Sequence, residues 1–358
     1  MSPLEEGPAT PGEHQGTVWA AEGLTLAPGV DAGEFVSAPR PTPPDQGWAR
    51  LRWAPAVPYG HALANAGAPL VDFPEGQVSQ AGLRLLLHLD DPDVWDAGPL
   101  DLPVQVVGGH EVAGLFRDAW HLPGTDRITV PAEAVRFGAQ DFTWATFAKI
   151  TPCAGRNGVL LGGEGVARLP AHAWLGCQAD DPCPGPGLGG TFRPRLGSSA
   201  DECAGALPDD DRWHHLAVIK QANRLRFFMD GALAHEASPD LSGDFNLDGF
   251  FQIGAFDGGY PLTASVEELA IWARALSPGE IAALSARGLG RAELWARGCP
   301  STDDCGDQPF ARLAEQPGGP GFWMDALPRL YPAVQFKVVL RRESGPPPVV
   351  RRIILEAD

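Results

Sequence analysis

Lysine is nearly missing from this 358-residue chain: three of its 27 basic residues are lysine, against 45 acidic residues and a net charge of −18. A nucleic-acid surface needs clustered cations to neutralise phosphates, so nucleic acid is excluded as a partner class. Long apolar runs are missing as well. No stretch approaches the roughly 20 residues of a spanning helix, so no membrane span is expected. The opening Met1-Ser2-Pro3-Leu4-Glu5-Glu6-Gly7 has neither a basic nor an apolar region and lacks the pattern of a secretion signal. No two cysteines are spaced C-x-x-C, which removes zinc knuckles and thioredoxin-type redox sites. G-x-S-x-G, H-E-x-x-H and Walker patterns are absent. The cluster Gly162-Gly163-Glu164-Gly165 opens no helix and reads as a turn, not a phosphate cradle, so no organic cofactor is expected.

What is present is glycine and proline, 44 and 36 residues, with 44% apolar residues. That composition suits many short strands joined by turns around a real core. The six cysteines, Cys153, Cys177, Cys183, Cys203, Cys299 and Cys305, lie in loops rich in Gly, Pro and Asp. Even number and loop setting point to disulfides and an oxidising compartment, hence to a secreted or cell-surface protein whose leader has been removed. If residues 143–151, 157–162 and 172–177 form a meander, Cys153 and Cys177 fall at one end. That favours the pairing Cys153–Cys177, Cys183–Cys203 and Cys299–Cys305, while other connectivities stay open.

Along the chain, residues 1–16 read as a flexible tail. Strand-like runs follow at 17–19, 33–37 and 48–53, where Trp48 and Arg50 alternate with Ala49 and Leu51. Residues 58–81 read as a linker. From Gly82 strand candidates recur about every ten residues up to 265–272, the mark of a β-sandwich. One helix is expected, opening at Ser277-Pro278-Gly279-Glu280 with a capping box and a proline where the missing N–H costs nothing. Two further strands, 333–340 and 349–355, close the chain.

Four ordered motifs lie between 82 and 288: Asp211-Arg212-Trp213-His214-His215-Leu216-Ala217-Val218, then Leu225-Arg226-Phe227-Phe228-Met229-Asp230-Gly231, then Phe251-Gln252-Ile253-Gly254, then Val266-Glu267-Glu268-Leu269-Ala270-Ile271-Trp272 before the helix. They resemble the concanavalin A-like modules of the laminin-G family. The expected fold is therefore all-β: a jelly-roll sandwich over 82–288, inserted into a smaller discontinuous β-sandwich built from 17–81 and 289–358. Asp230-Gly231 is a hairpin signal, because the turn needs residues with positive φ. Trp213, Trp272 and Phe228 are expected between the two sheets, and His214 and His215 on a strand with one pointing out and one half-buried.

The resemblance also implies a calcium ion held by loop carboxylates, and the positions matching the family's are Asp90, Asp96 and Glu267. Glu267 stands where the family usually has aspartate. Retaining glycosidases on related sandwiches need two carboxylates about 5–5.5 Å apart. Glu267 and Glu268 are adjacent on a strand and should face opposite ways, and no E-x-D-x-E run exists, so hydrolysis is disfavoured. Sugar binding needs aromatic faces beside hydroxyl-binding groups. Among Trp95, Trp120, Trp174, Tyr260 and Trp323, the loop-proximal Trp174 and Tyr260 are favoured, with Asp180, Asp181 and Asp257 as the polar companions. The expected role is a non-catalytic binding or adhesion protein that recognises glycan or a surface protein. The alternative is a structural subunit of an extracellular assembly that exchanges strands between copies.

Overall fold

The structure, a computed structural model, describes residues 4–43, 48–68, 76–151, 157–166, 171–179, 183, 187–206, 210, 212–256, 259–313, 323–326 and 331–357. The chain divides into two compact units: residues 62–68 with 78–285, and residues 1–61 with 69–77 and 286–358.

Among the described residues the larger unit holds fifteen strands: β1 (Leu83–Leu87), β2 (Gln105–Val107), β3 (His110–Ala113), β4 (Asp118–Leu122), β5 (Arg127–Val130), β6 (Phe142–Ile150), β7 (Gly158–Glu164), β8 (His172–Gln178), β9 (Gly187–Arg193), β10 (Ala200–Ala206), β11 (His214–Gln221), β12 (Arg224–Met229), β13 (Ala232–Ala237), β14 (Phe250–Ile253) and β15 (Ala264–Trp272). They form two antiparallel sheets. An eight-stranded sheet runs β3-β4-β15-β6-β11-β12-β13, with β1 also paired to β15, and a seven-stranded sheet runs β10-β9-β8-β7-β14-β5-β2. Between them lies one core to which both sheets contribute, with Trp144, Leu216 and Phe227 from one and Leu160, Leu175 and Phe251 from the other. Burying that apolar surface between the sheets is the main force holding the sandwich closed.

The eight-stranded sheet is covered on its other face too. Helix α1 (Pro278–Leu289) lays Ile281 and Leu284 against Phe228, Ala217 and Trp272. This corrects the expected placement of Trp272 and Phe228, which pack beneath the helix and not between the sheets. Every residue of β15 is buried as a result, so its burial shows no alternation. His214 and His215 are corrected likewise, since both are buried. His214 bridges Asp230, 2.8 Å from Nδ1, and Asp210, 3.2 Å from Nε2, while His215 packs against Phe147.

The turn between β12 and β13 has positive φ at both Asp230 (52°) and Gly231 (80°), the pattern a tight hairpin demands. At the helix start, Ser277 N donates to Glu280 Oε2 at 2.9 Å and Glu280 N to Ser277 Oγ at 3.2 Å, the reciprocal box that the residues promised. Strands β3 and β10 lack an apolar-periodic signal and escape the sequence reading.

The smaller unit has its own core, with Leu24, Phe35, Trp53, Phe336, Val338, Ile353 and Leu355 buried together. One of its sheets pairs Trp48–Pro55 with Val349–Ala357, and the other pairs Gly290–Cys299 with Ala333–Arg342. The N-terminal segment is not a free tail. Leu4–Glu6 pairs with Ile353–Leu355, and Gly12–Gln15 pairs with Glu34–Ser37. Few apolar residues mark these strands, and backbone pairing to a neighbour carries them instead.

Candidate functional site

The outward face of the seven-stranded sheet carries a cavity of about 390 Å³, lined by Asn157, Val159, His172, Trp174, Gln178, Thr191, Asp201, Phe256 and Tyr260. Side chains alternate along a strand, so His172, Trp174 and Gln178 of β8 project to one side. In the antiparallel pairing of β9 and β10, Thr191 stands opposite Asp201. Thr191 Oγ1 donates to Asp201 Oδ1 at 2.5 Å, which orients the carboxylate. The rim is aromatic. Trp174 is 7% exposed and packs with Val159 and Phe256, whereas Tyr260 is 55% exposed.

Gly162 explains how Phe256 comes to lie on the sheet, because a Cβ there would stand 2.7 Å from the Phe256 ring. Gly162 and Gly163 belong to β7, correcting their reading as a turn. Asn157 Oδ1 accepts from Ala179 N at 2.8 Å, tying the two loops at that end of the cavity. Burial first, and then the positive charge of Arg193, hold His172 below the usual imidazole range. Near neutral pH it is an uncharged group with one donor and one acceptor.

Of the residues singled out from sequence, Trp174 and Tyr260 come together here. Asp180, Asp181 and Asp257 lie outside the described residues. Trp120 is buried in the sandwich core and Trp95 is exposed at 48%. The side chain of Trp323 is outside the described set. Sequence reasoning missed His172, Gln178, Thr191, Asp201, Asn157 and Phe256. The spacing of His172, Trp174 and Gln178 at even intervals was the available signal. Disulfides join Cys183 to Cys203 and Cys299 to Cys305. Cys177 is also disulfide-bonded, and Cys153 lies outside the described residues. Cys203 sits two positions after Asp201, so this wall of the cavity is covalently tied.

The carboxylates expected to hold calcium are arranged differently. Asp96, 1% exposed, takes amides on both oxygens: Leu86 N at 3.0 Å and Gly98 N at 2.8 Å on Oδ1, and Leu102 N at 3.0 Å on Oδ2. Glu267 is fully buried and accepts from Leu115 N at 2.6 Å and Phe116 N at 2.9 Å. Burial pushes its carboxyl up to about 7, against the lowering pull of those amides. Asp90 faces Arg117, whose Nη2 donates to the Asp90 carbonyl at 2.6 Å and lies 3.6 Å from its carboxylate. Among the described residues no group of three or more His, Cys, Asp or Glu is placed to hold a metal. Oxygen atoms already facing N–H donors do not fit a hard cation, which needs several oxygens turned toward it.

The expectation that Glu267 and Glu268 simply alternate is also corrected. The pairing of β6 with β15 slips between Ala145 and Phe147, and Glu268 takes a positive φ of 52°. This bulge lets two successive buried glutamates serve two loops. Glu268 accepts from Leu63 N at 2.9 Å and bonds His88, while Glu267 reaches the turn at 114–117.

Residues 122–282 match the family described as the concanavalin A-like lectin/glucanases superfamily. Over this segment the chain is similar to the laminin G-like modules of that superfamily. Its first described strands, β1 to β3, precede the matched stretch and complete the sheets. No curated protein sequence matches the chain. Solved structures of similar shape include the binding domain of Paraclostridial Mosquitocidal Protein 1, at 15% identity and TM-score 0.46, with 61% of this chain and 58% of that one covered. The Botulinum neurotoxin serotype G binding domain is similar at 9% identity and TM-score 0.46, covering 69% and 65%. Domain 4 of an extracellular arabinanase from Geobacillus stearothermophilus, in complex with arabinotriose, is similar at 17% identity and TM-score 0.46, covering 58% and 100%. The chain thus spans less than two thirds of the length of either toxin binding domain.

Proposed function

We propose that the protein is a non-catalytic binding protein of the extracellular space, and that the cavity on the seven-stranded sheet takes a segment of glycan. The observation that carries this reading is the gathering of Trp174, Phe256 and Tyr260 beside Asn157, His172, Gln178, Thr191 and Asp201 in one cavity of about 390 Å³. Flat aromatic rings offer apolar contact to the C–H faces of a sugar, and fixed donors and acceptors read its hydroxyls. Asp201, oriented by Thr191, accepts from hydroxyl donors, and neutral His172 serves as either partner.

Among the described lining residues Asp201 is the one carboxylate. Glycoside hydrolysis needs two, so binding without turnover is the reading this composition supports. The disulfides support an oxidising location. A role as a strand-exchanging subunit loses its main support, because residues 4–6 and 12–15 are paired within the chain itself.

A glycan and polysaccharide array tests the proposal. Retention of one related set of oligosaccharides is expected, and the soluble forms of those ligands should not be shortened on prolonged incubation. Silence across the array would remove the reading.

A further inference from the structure

The family resemblance leads to an aspartate at position 267 holding calcium with Asp90 and Asp96. This chain has a glutamate there, one methylene longer, and the extra length is used. Glu267 reaches across the end of the sheet to the hairpin turn between β3 and β4, where Leu115 N and Phe116 N close on its two oxygens at 2.6 and 2.9 Å. Gly114 makes the approach possible: a Cβ there would lie 2.8 Å from Glu267 Oε2 and 2.7 Å from the backbone of Asp118. From the same turn, Arg117 swings its guanidinium onto Asp90. Asp96, for its part, is closed by three amides of its own neighbourhood.

We infer that this end of the sandwich is held together without a divalent cation, the 114–117 turn bringing through its amides and the Arg117 guanidinium the positive charge that an ion would supply. Each carboxylate faces hydrogens of N–H groups, which attract the same lone pairs a cation would use and repel the cation itself. A divalent ion beside Asp90 would also meet the like charge of Arg117. Asp96 and Glu267, closed in this way, are satisfied buried acceptors, and removing their donors is what costs stability.

The test is thermal unfolding of the full chain in 5 mM calcium chloride and in 5 mM EDTA, with Glu267→Asp, Arg117→Gln and Asp90→Ala beside the parent. The parent's Tm is expected to agree in the two buffers to within about 1 °C. Glu267→Asp, which withdraws the carboxylate from both amides, is expected to lower Tm by roughly 4–10 °C, equally with calcium and with EDTA. Should that variant fail to fold, Arg117→Gln serves: its exposed side chain makes a loss of no more than about 2 °C the expected result, again indifferent to calcium. A calcium-induced rise of several degrees in the parent that Asp90→Ala abolishes would overturn the inference. The readout is stability alone, so it does not depend on whether a glycan binds.

Discussion

Two sets of polar side chains in the same sandwich stand in contrast. At one end Asp96, Glu267 and Glu268 are buried with their oxygens turned onto backbone amides or a histidine of the same chain. On the seven-stranded sheet Asn157, His172, Thr191 and Asp201 ring an open cavity beside exposed Tyr260. Residue type favours the first set as a site, since it has more carboxylates. Geometry reverses the ranking, because a carboxylate closed by its own backbone has little left to offer a ligand. Whether a group's hydrogen-bonding capacity is already taken up distinguishes a structural cluster from a binding surface.

The largest effect that would sharpen this contrast comes from Trp174→Ala. Trp174 packs with Val159 and Phe256, so its truncation is expected to destabilise the larger unit by about 3–5 kcal/mol and to abolish glycan retention together. Chemical denaturation and array binding of that variant check both halves.

A second, comparably large effect concerns pH, and two buried groups oppose each other. His215 is pushed down to about 4 by burial, so it favours the folded state when neutral. Its contribution is present above the unfolded value near 6.5 and is lost as pH falls toward 4. Glu267, raised to about 7, has the opposite sign. Its contribution is present below the unfolded value near 4.5 and is lost as pH rises through 7. Each spans about 3 kcal/mol by linkage, over nearly the same window, so the two largely cancel between pH 4.5 and 6.5 and leave the parent only the shallower climb with pH that the lowered His121 and His172 add. Glu267→Gln removes one side of the balance, and its stability should then climb with pH across that window. Urea unfolding at half-unit pH steps checks this, and a flat profile in the variant would contradict the opposition.

A smaller effect belongs to Asp201→Asn. Losing the charge on this hydroxyl acceptor is expected to weaken glycan binding roughly tenfold, on the order of 1.4 kcal/mol, while Tm stays within about 2 °C. If affinity is unchanged, Asp201 does not face the ligand.

Much of the fold was legible in the residues, and for local reasons. Asp230-Gly231 announces its own hairpin through the need for positive φ, and Ser277 with Glu280 announces a helix start through reciprocal capping. Both devices act over four residues or fewer. The covered sheet was harder to read. With α1 on one face and the core on the other, β15 is buried throughout and Trp272 has no pattern to say which side it takes. The bulge at Glu267–Glu268 depends on the slip against Ala145 and Phe147, residues more than a hundred positions away. The cavity draws on residues from 157 to 260, and pairing across β7, β8, β9 and β10 creates the neighbourhood. Trp174 and Tyr260 could be singled out as aromatic residues near loops. Asp201 could not, because only its register with Thr191 brings it to the same cavity.

The most direct measurement is calorimetric titration of the parent and of Tyr260→Ala with the best array ligand, in EDTA. Tyr260 is exposed, so the variant should keep the parent's Tm. The account predicts binding by the parent in the chelator and at least a roughly tenfold loss in Tyr260→Ala, the expected scale for an aromatic anchor in a sugar site. Equal affinity in the two proteins, or parent binding that vanishes in EDTA, would contradict it.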